Sequence, residues 1–147
     1  MGKIFFLLLV SWAAFGCATT RIAPPRPIKI ACTNLSKSEL VKLVVAELRK
    51  DNFVVETADE EKGLVEAERQ VAFIGIGENT LVLGPYAMNI AYQNDTVVVN
   101  FETVRVGPDG KVVSIEAWDE RNASSYDLKH LKPVLTAIRN ACQSRNQ

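Results

Sequence analysis

The chain has 147 residues, 17 basic against 17 acidic, for a formal net charge of zero. That balance excludes the basic footprint of a nucleic-acid binder, and a charged fraction of 23% excludes wholesale disorder. The length fits one domain with a tail, and the 48% apolar fraction supplies its core even though the leader inflates it.

The chain opens on Met1-Gly2-Lys3, a short basic start, followed by a run from Ile4 to Phe15 that is apolar except for Ser11. As a helix that run would span about 18 Å, too short for a hydrocarbon core of about 30 Å, so it reads as the apolar region of a signal peptide. It ends in Ala14-Phe15-Gly16-Cys17. This segment resembles the lipobox of bacterial lipoproteins, in which small residues precede an obligatory cysteine. The resemblance implies that residues 1–16 are a signal peptide cleaved before Cys17. It further implies acylation of the Cys17 thiol, with a fatty acid such as palmitate following on the freed amine. Ala18, rather than Asp, after that cysteine implies an outer-membrane address facing the periplasm. Ala14 and Gly16 also satisfy the small-x-small rule of an ordinary secretory site, which would cut the same bond and leave Cys17 bare.

Three cysteines in an exported chain leave one odd. If Cys17 carries lipid, Cys32 and Cys142 remain to form a disulfide in an oxidising compartment; two buried thiols are the alternative. Residues 17–27 then read as the lipidated cysteine and a linker. Pro24, Pro25 and Pro27 favour extended polyproline geometry and would hold the domain some 30 Å off the membrane. Arg21 and Arg26 would lie near the head groups.

The domain is expected over residues 28–147. Ile28 to Ala31 alternates as a short strand. Ser36-Lys37-Ser38-Glu39 is a capping box, and Leu40, Val41, Val44, Val45 and Leu48 line one helical face behind it. Asp51-Asn52 suits the helix exit. Phe53 to Thr57 is β-branched, Asp59 to Lys62 is a charged turn, and residues 64–73 alternate with Arg69 as the fault. A helix from Asp59 to Gln70 competes with that strand, but Gly63 would break it. Met88, Ile90 and Tyr92 mark another strand, Asn94-Asp95 a turn, and Thr96 to Val106 a third run. Gly107-Pro108-Asp109-Gly110 turns the chain into Lys111 to Trp118.

The end is helical, capped by Ser124 or Ser125, with Pro133 expected to start a second segment. Leu131, Leu135, Ile138 and Cys142 share its inner face. The expected fold is α+β: an antiparallel sheet of about four to five strands with an N-terminal and a C-terminal helix packed against it.

Signals for chemistry are sparse. His130 is the sole histidine; beside Lys129 and Lys132 it reads as an exposed surface residue, and no metal-ligand pattern is present. Glu66 and Glu68 share a strand face and can mimic paired catalytic carboxylates, although a solvated face has the same spacing. Glu116, Asp119, Glu120 and Arg121 form a charged patch that reads as a polar loop rather than a cation or glycan site. No nucleophile elbow surrounds Ser124-Ser125, and Gly75-x-Gly77 lacks the rest of a dinucleotide fingerprint. No catalytic residue or cofactor is assigned.

The most unusual stretch is Phe73 to Tyr86, rich in both glycine and large apolar residues. Packed inward, Leu81, Val82 and Leu83 are an irregular core strand. Turned outward, they form an apolar loop for a partner, lipid or ligand, extended by Tyr86 and Trp118. The sequence therefore points to a membrane-anchored envelope protein that works by binding, as an accessory or structural factor. Its expected partners are the membrane, through its lipid, and an envelope protein, with no nucleic acid. A small lipid- or ligand-binding module is the second reading, and an envelope hydrolase using carboxylates the third.

Overall fold

The computed structural model describes residues 21–70, 82–107 and 111–144. Strands β1 (Arg21–Ile22) and β2 (Ile28–Ala31) precede helix α1 (Lys37–Lys50). Then come β3 (Val54–Asp59), β4 (Leu64–Arg69), β5 (Val82–Gln93), β6 (Thr96–Val106), β7 (Val112–Trp118) and helix α2 (Ser125–Gln143).

The local signals act as their chemistry dictates. Ser36 Oγ accepts from the Glu39 N–H while the Glu39 carboxylate accepts from the Ser36 N–H, so each satisfies an orphan donor of α1. Asn52 leaves the helix at φ 60°, which Asn tolerates better than other residues. Asn94 (φ 48°) and Asp95 (φ 56°) are both left-handed, giving a two-residue turn whose twist matches the β5–β6 hairpin. Residues 64–69 are strand, not helix. Gly63 begins them at φ 71°, and its carbonyl accepts from the Tyr92 N–H at 2.9 Å. The Gly107 N–H donates to the Lys111 carbonyl at 2.8 Å; Pro108, Asp109 and Gly110 of the expected turn lie outside the described residues.

The sheet runs β1-β7-β6-β5-β4-β3, with β2 also pairing β6. It has seven strands among the described residues rather than four or five. The strand with no signal in the sequence is β1, whose two residues are too few for a periodic pattern. Every pairing is antiparallel except β1 with β7, which is parallel. The first helix follows two strands, so it lies inside the domain rather than at its start. The sheet also begins before Ile28: Arg21 pairs with Ser114 and Ile22 with Ile115. The stretch expected to be a free spacer is thus already part of the sheet at Arg21–Ile22.

Both helices contribute to one core. Leu40, Val41, Val44 and Leu48 of α1 join Leu131, Val134, Leu135 and Ile138 of α2 and the buried side chains Val65, Met88, Ile90, Val97, Val99 and Phe101 of the sheet. Val45 packs at its margin. Helix α2 is continuous through Pro133, which does not divide it. Proline removes the N–H that would bond the Lys129 carbonyl, but both residues are exposed, where water serves that carbonyl. Among the described residues no helix is long and apolar enough to cross a membrane.

Candidate functional site

Cys32 and Cys142 are joined by a disulfide, with Cα atoms 4.8 Å apart across a sequence separation of 110. It ties the end of β2 to the last turn of α2, where the Asn34 amide also donates to the Cys142 carbonyl at 2.9 Å. Closing so long a loop stabilises the fold by on the order of 2–5 kcal/mol. Cys17 lies outside the described residues.

Of the candidate partner-binding residues, Leu81 also lies outside the described residues, and Val82 and Leu83 begin β5. Tyr86 is fully buried, not part of a surface. Its ring stacks on Phe101 at 5.3 Å, and its hydroxyl donates to Asp127 Oδ1 at 2.8 Å. Trp118 is half-buried at the core margin, opposite Phe101, and its indole N–H donates to Thr103 Oγ1 at 2.8 Å. Tyr86 therefore belongs to the core rather than to an apolar surface, and residues 73–81 of the stretch lie outside the described residues.

His130 is likewise misread by its basic neighbours. It is 2% exposed. Its Nδ1 meets Asp51 Oδ2 at 2.6 Å; the carboxylate can only accept, so Nδ1 donates. Nε2 is buried with no hydrogen-bond partner among the described residues. Tyr86 lies 5.2 Å from the His130 ring, and the exposed Tyr126 meets it edge-on at 5.4 Å. Around this ring a chain of polar contacts links four elements. Ser124 Oγ donates to Asp127 Oδ2 at 2.6 Å, capping α2, and Asp127 receives Tyr86 of β5. Asp51, at the end of α1, receives His130 of α2 through its carboxylate and Arg69 Nε of β4 through its carbonyl at 2.8 Å. Arg69, the fault in the strand alternation, thereby closes the end of α1. Burial first, and then the bond to Asp127, push the Tyr86 hydroxyl far above its ordinary value.

A His–Asp pair with a free Nε2 is the base-and-orienter half of a hydrolytic triad. Here no nucleophile stands at Nε2 among the described residues, Ser124 is engaged in the cap, and the imidazole is shielded from solvent. The geometry is that of a structural tie between the two helices. The sequence held one signal for it: His130 lies four and eight residues before the buried Val134 and Ile138, on the flank of their face.

The carboxylate patches are also internally engaged. Glu66 accepts from Thr57 Oγ1 at 2.8 Å; Glu66 and Glu68 are half-buried on one face of β4. Asp119 accepts the backbone N–H of Arg121, which holds its carboxyl below the usual range, and also pairs with the Arg121 guanidinium. Glu120 is held low by Arg139, which grips it at 2.7 and 2.6 Å. Glu116 pairs with Arg105 at 2.9 Å. Among the described residues no cluster of His, Cys, Asp and Glu could hold a metal ion. Beside α2 lies an open groove of about 750 Å³, bordered by Glu47, Leu128, Lys132, Pro133 and Ala137.

No family model matches the sequence, and no curated protein matches it. Among solved structures, the chain is similar to a DUF4468 family protein from Bacteroides ovatus. That match has a TM-score of 0.49 and 9% identity, covering 78% of this chain and 85% of the other. It is also similar to a TBP-like protein from Parabacteroides distasonis, with a TM-score of 0.43 and 14% identity over 83% of this chain and 85% of that one. At such identity and overlap neither resemblance extends to chemistry or partners.

Proposed function

We propose that this chain is a lipoprotein of the bacterial envelope, anchored through Cys17 and working as a binding, accessory or structural factor rather than as an enzyme. The observation that carries the reading is the use of its cysteines. Cys32 and Cys142 are spent on each other, a pairing that suits an exported protein. That leaves Cys17 alone, at the end of a leader of the lipobox type. The residue after it, Ala18, supports the outer membrane, with the domain in the periplasm. The ionic groups that could have served chemistry hold the fold instead: Asp51 with His130, Asp127 with Tyr86, Glu120 with Arg139.

Mass spectrometry of the mature N-terminal peptide tests the address. It is expected to begin at Cys17 and to carry acyl chains, each contributing about 0.8 kcal/mol of membrane affinity per buried CH₂. Cys17→Ser is expected to release the protein from membranes or to leave its precursor uncleaved. A mature chain with an unmodified Cys17 would sink the reading.

A further inference from the structure

We propose that the sheet edge formed by β1 and the start of β7 lies against the lipid surface, with Ile22, Val112 and Val113 entering the interfacial layer. The inference rests on the lipoprotein reading and deepens it by naming the face that meets the membrane.

Two independent observations converge on this edge. The first is reach. Only four peptide links separate Cys17 from Arg21, about 14 Å at full stretch. Arg21 and Ile22 already belong to the sheet, and the Ala23 N–H donates to the Ile115 carbonyl at 2.8 Å. An acyl chain on Cys17 therefore holds β1 at the membrane instead of letting the domain float some 30 Å above it.

The second is where apolar surface is exposed. The described residues with large, well-exposed hydrophobic side chains are Ile22 (69%), Val54 (63%), Val112 (42%), Val113 (50%) and Tyr126 (45%). Three of these five lie on β1 and β7. The strands run in the same direction, so the tether leaves β1 at the end of the sheet where β7 begins with Val112 and Val113. Ile22 sits opposite Ile115, which is opposite Val104. Val112 and Val113 stand at the register shift between the Arg105–Ser114 and Val106–Val112 pairs, and both side chains are exposed there. The result is an apolar strip beginning beside the anchor. Arg26 lies 4.0 Å from Asp119 and Arg105 pairs with Glu116, while Arg21 in β1 and Lys111 before β7 place basic residues beside the apolar strip, an arrangement that suits a surface containing anionic lipid.

The test uses the full mature protein, purified from envelopes and reconstituted in vesicles of phosphatidylethanolamine and phosphatidylglycerol with brominated acyl chains. Val113→Trp reports on the proposed contact. Val54→Trp, on the opposite sheet edge β3, is the control. Relative to the parent protein, the residue-113 tryptophan is expected to lose about half its emission at interfacial depth, and the residue-54 tryptophan none. Ile22→Trp gives the same readout should the first variant melt abnormally. Intact mass is measured on each preparation. An acylated Cys17 with an unquenched tryptophan at both 22 and 113 overturns the proposal while the lipoprotein reading stands. A bare Cys17 overturns both. Tryptophan shielded from brominated lipid and from aqueous iodide alike, with the protein dimeric, overturns it in favour of a second copy covering the edge.

Discussion

Removing one buried oxygen tests whether the polar chain between the helices is a structural tie. Tyr86→Phe deletes the hydroxyl that donates to Asp127 Oδ1 at 2.8 Å and leaves the ring stacked on Phe101. Tyr86 is 0% exposed and Asp127 8% exposed, so water cannot readily replace the lost donor. A hydrogen bond to a carboxylate is worth about 1.5–3 kcal/mol, and among the described residues the carboxylate left behind keeps its contacts with Ser124. For a domain of roughly 110–120 ordered residues, about 2.1 cal/mol/K of unfolding entropy per residue converts that loss to a Tm drop of about 6–12 °C. The assay is thermal and urea unfolding with the disulfide intact, run as a double-mutant cycle with Asp127→Ala. Asp127 also caps α2 with Ser124, so the single Asp127→Ala variant is expected to lose more than Tyr86→Phe. The two changes together are expected to cost less than their sum. A Tm shift under about 2 °C for Tyr86→Phe, or full additivity of the pair, would refute the tie.

Three further outcomes follow from the same contacts. Tyr86 and Tyr92 both have hydroxyls raised above their ordinary value, in each case first by burial. A raised acid contributes stability that is fully present below the unfolded value and lost as pH climbs above it. Stability is therefore expected to fall above about pH 10, and Tyr86→Phe is expected to flatten that alkaline limb in pH-dependent urea titrations. Gly63→Ala is expected to destabilise by about 1–2 kcal/mol in equilibrium unfolding, because φ is +71° and a Cβ would stand 3.0 Å from both Lys37 Cγ and Tyr92 Cβ. Reducing Cys32–Cys142 is expected to lower the melting temperature without freeing the protein from membranes, since the bridge acts on the domain and the proposed lipid would act on the tail. Release on reduction alone would contradict that division of labour.

What the sequence made legible were the features whose cause is local. The Ser36–Glu39 box is written within four residues and stands as written. The Asn94-Asp95 turn needs two residues able to take positive φ, and both do. Gly63 decided strand against helix for residues 64–69 by its own backbone preference. The inner face of α2 was visible because Leu131, Leu135, Ile138 and Cys142 recur at helical spacing. The antiparallel meander was visible because strand-like runs followed one another without intervening helices.

The misread residues have partners far away in the chain. His130 stands between two lysines, which argues for solvent, but Asp51 lies 79 residues earlier and draws the ring inward. Tyr86 follows a run of glycine and aliphatic residues; what buries it is Asp127, 41 residues later. Arg21 and Ile22 are too few to show alternation, and the strand that makes them a sheet edge lies more than ninety residues on. Pattern reading weighs each side chain alone against water, whereas burial of a polar group is decided by a pair.

The same distinction bears on where this domain can meet a partner. The helices cover one face of the sheet and are locked there by the paired polar groups. On the other face, Thr57, Glu66, Asn89 and Asn100 form a cross-strand row, and Glu66, Asn89 and Asn100 are only half-buried. The tether enters at β1, at the end of the strand order opposite β3. Val104 stands four residues after Asn100 and so on the same face, which makes the proposed lipid-facing strip the β1–β7 end of that open face and leaves its β3–β5 end for the proposed periplasmic partner. The proposed binding role would draw on the half-polar surface the core does not use, and would need no chemistry from the histidine the core has enclosed.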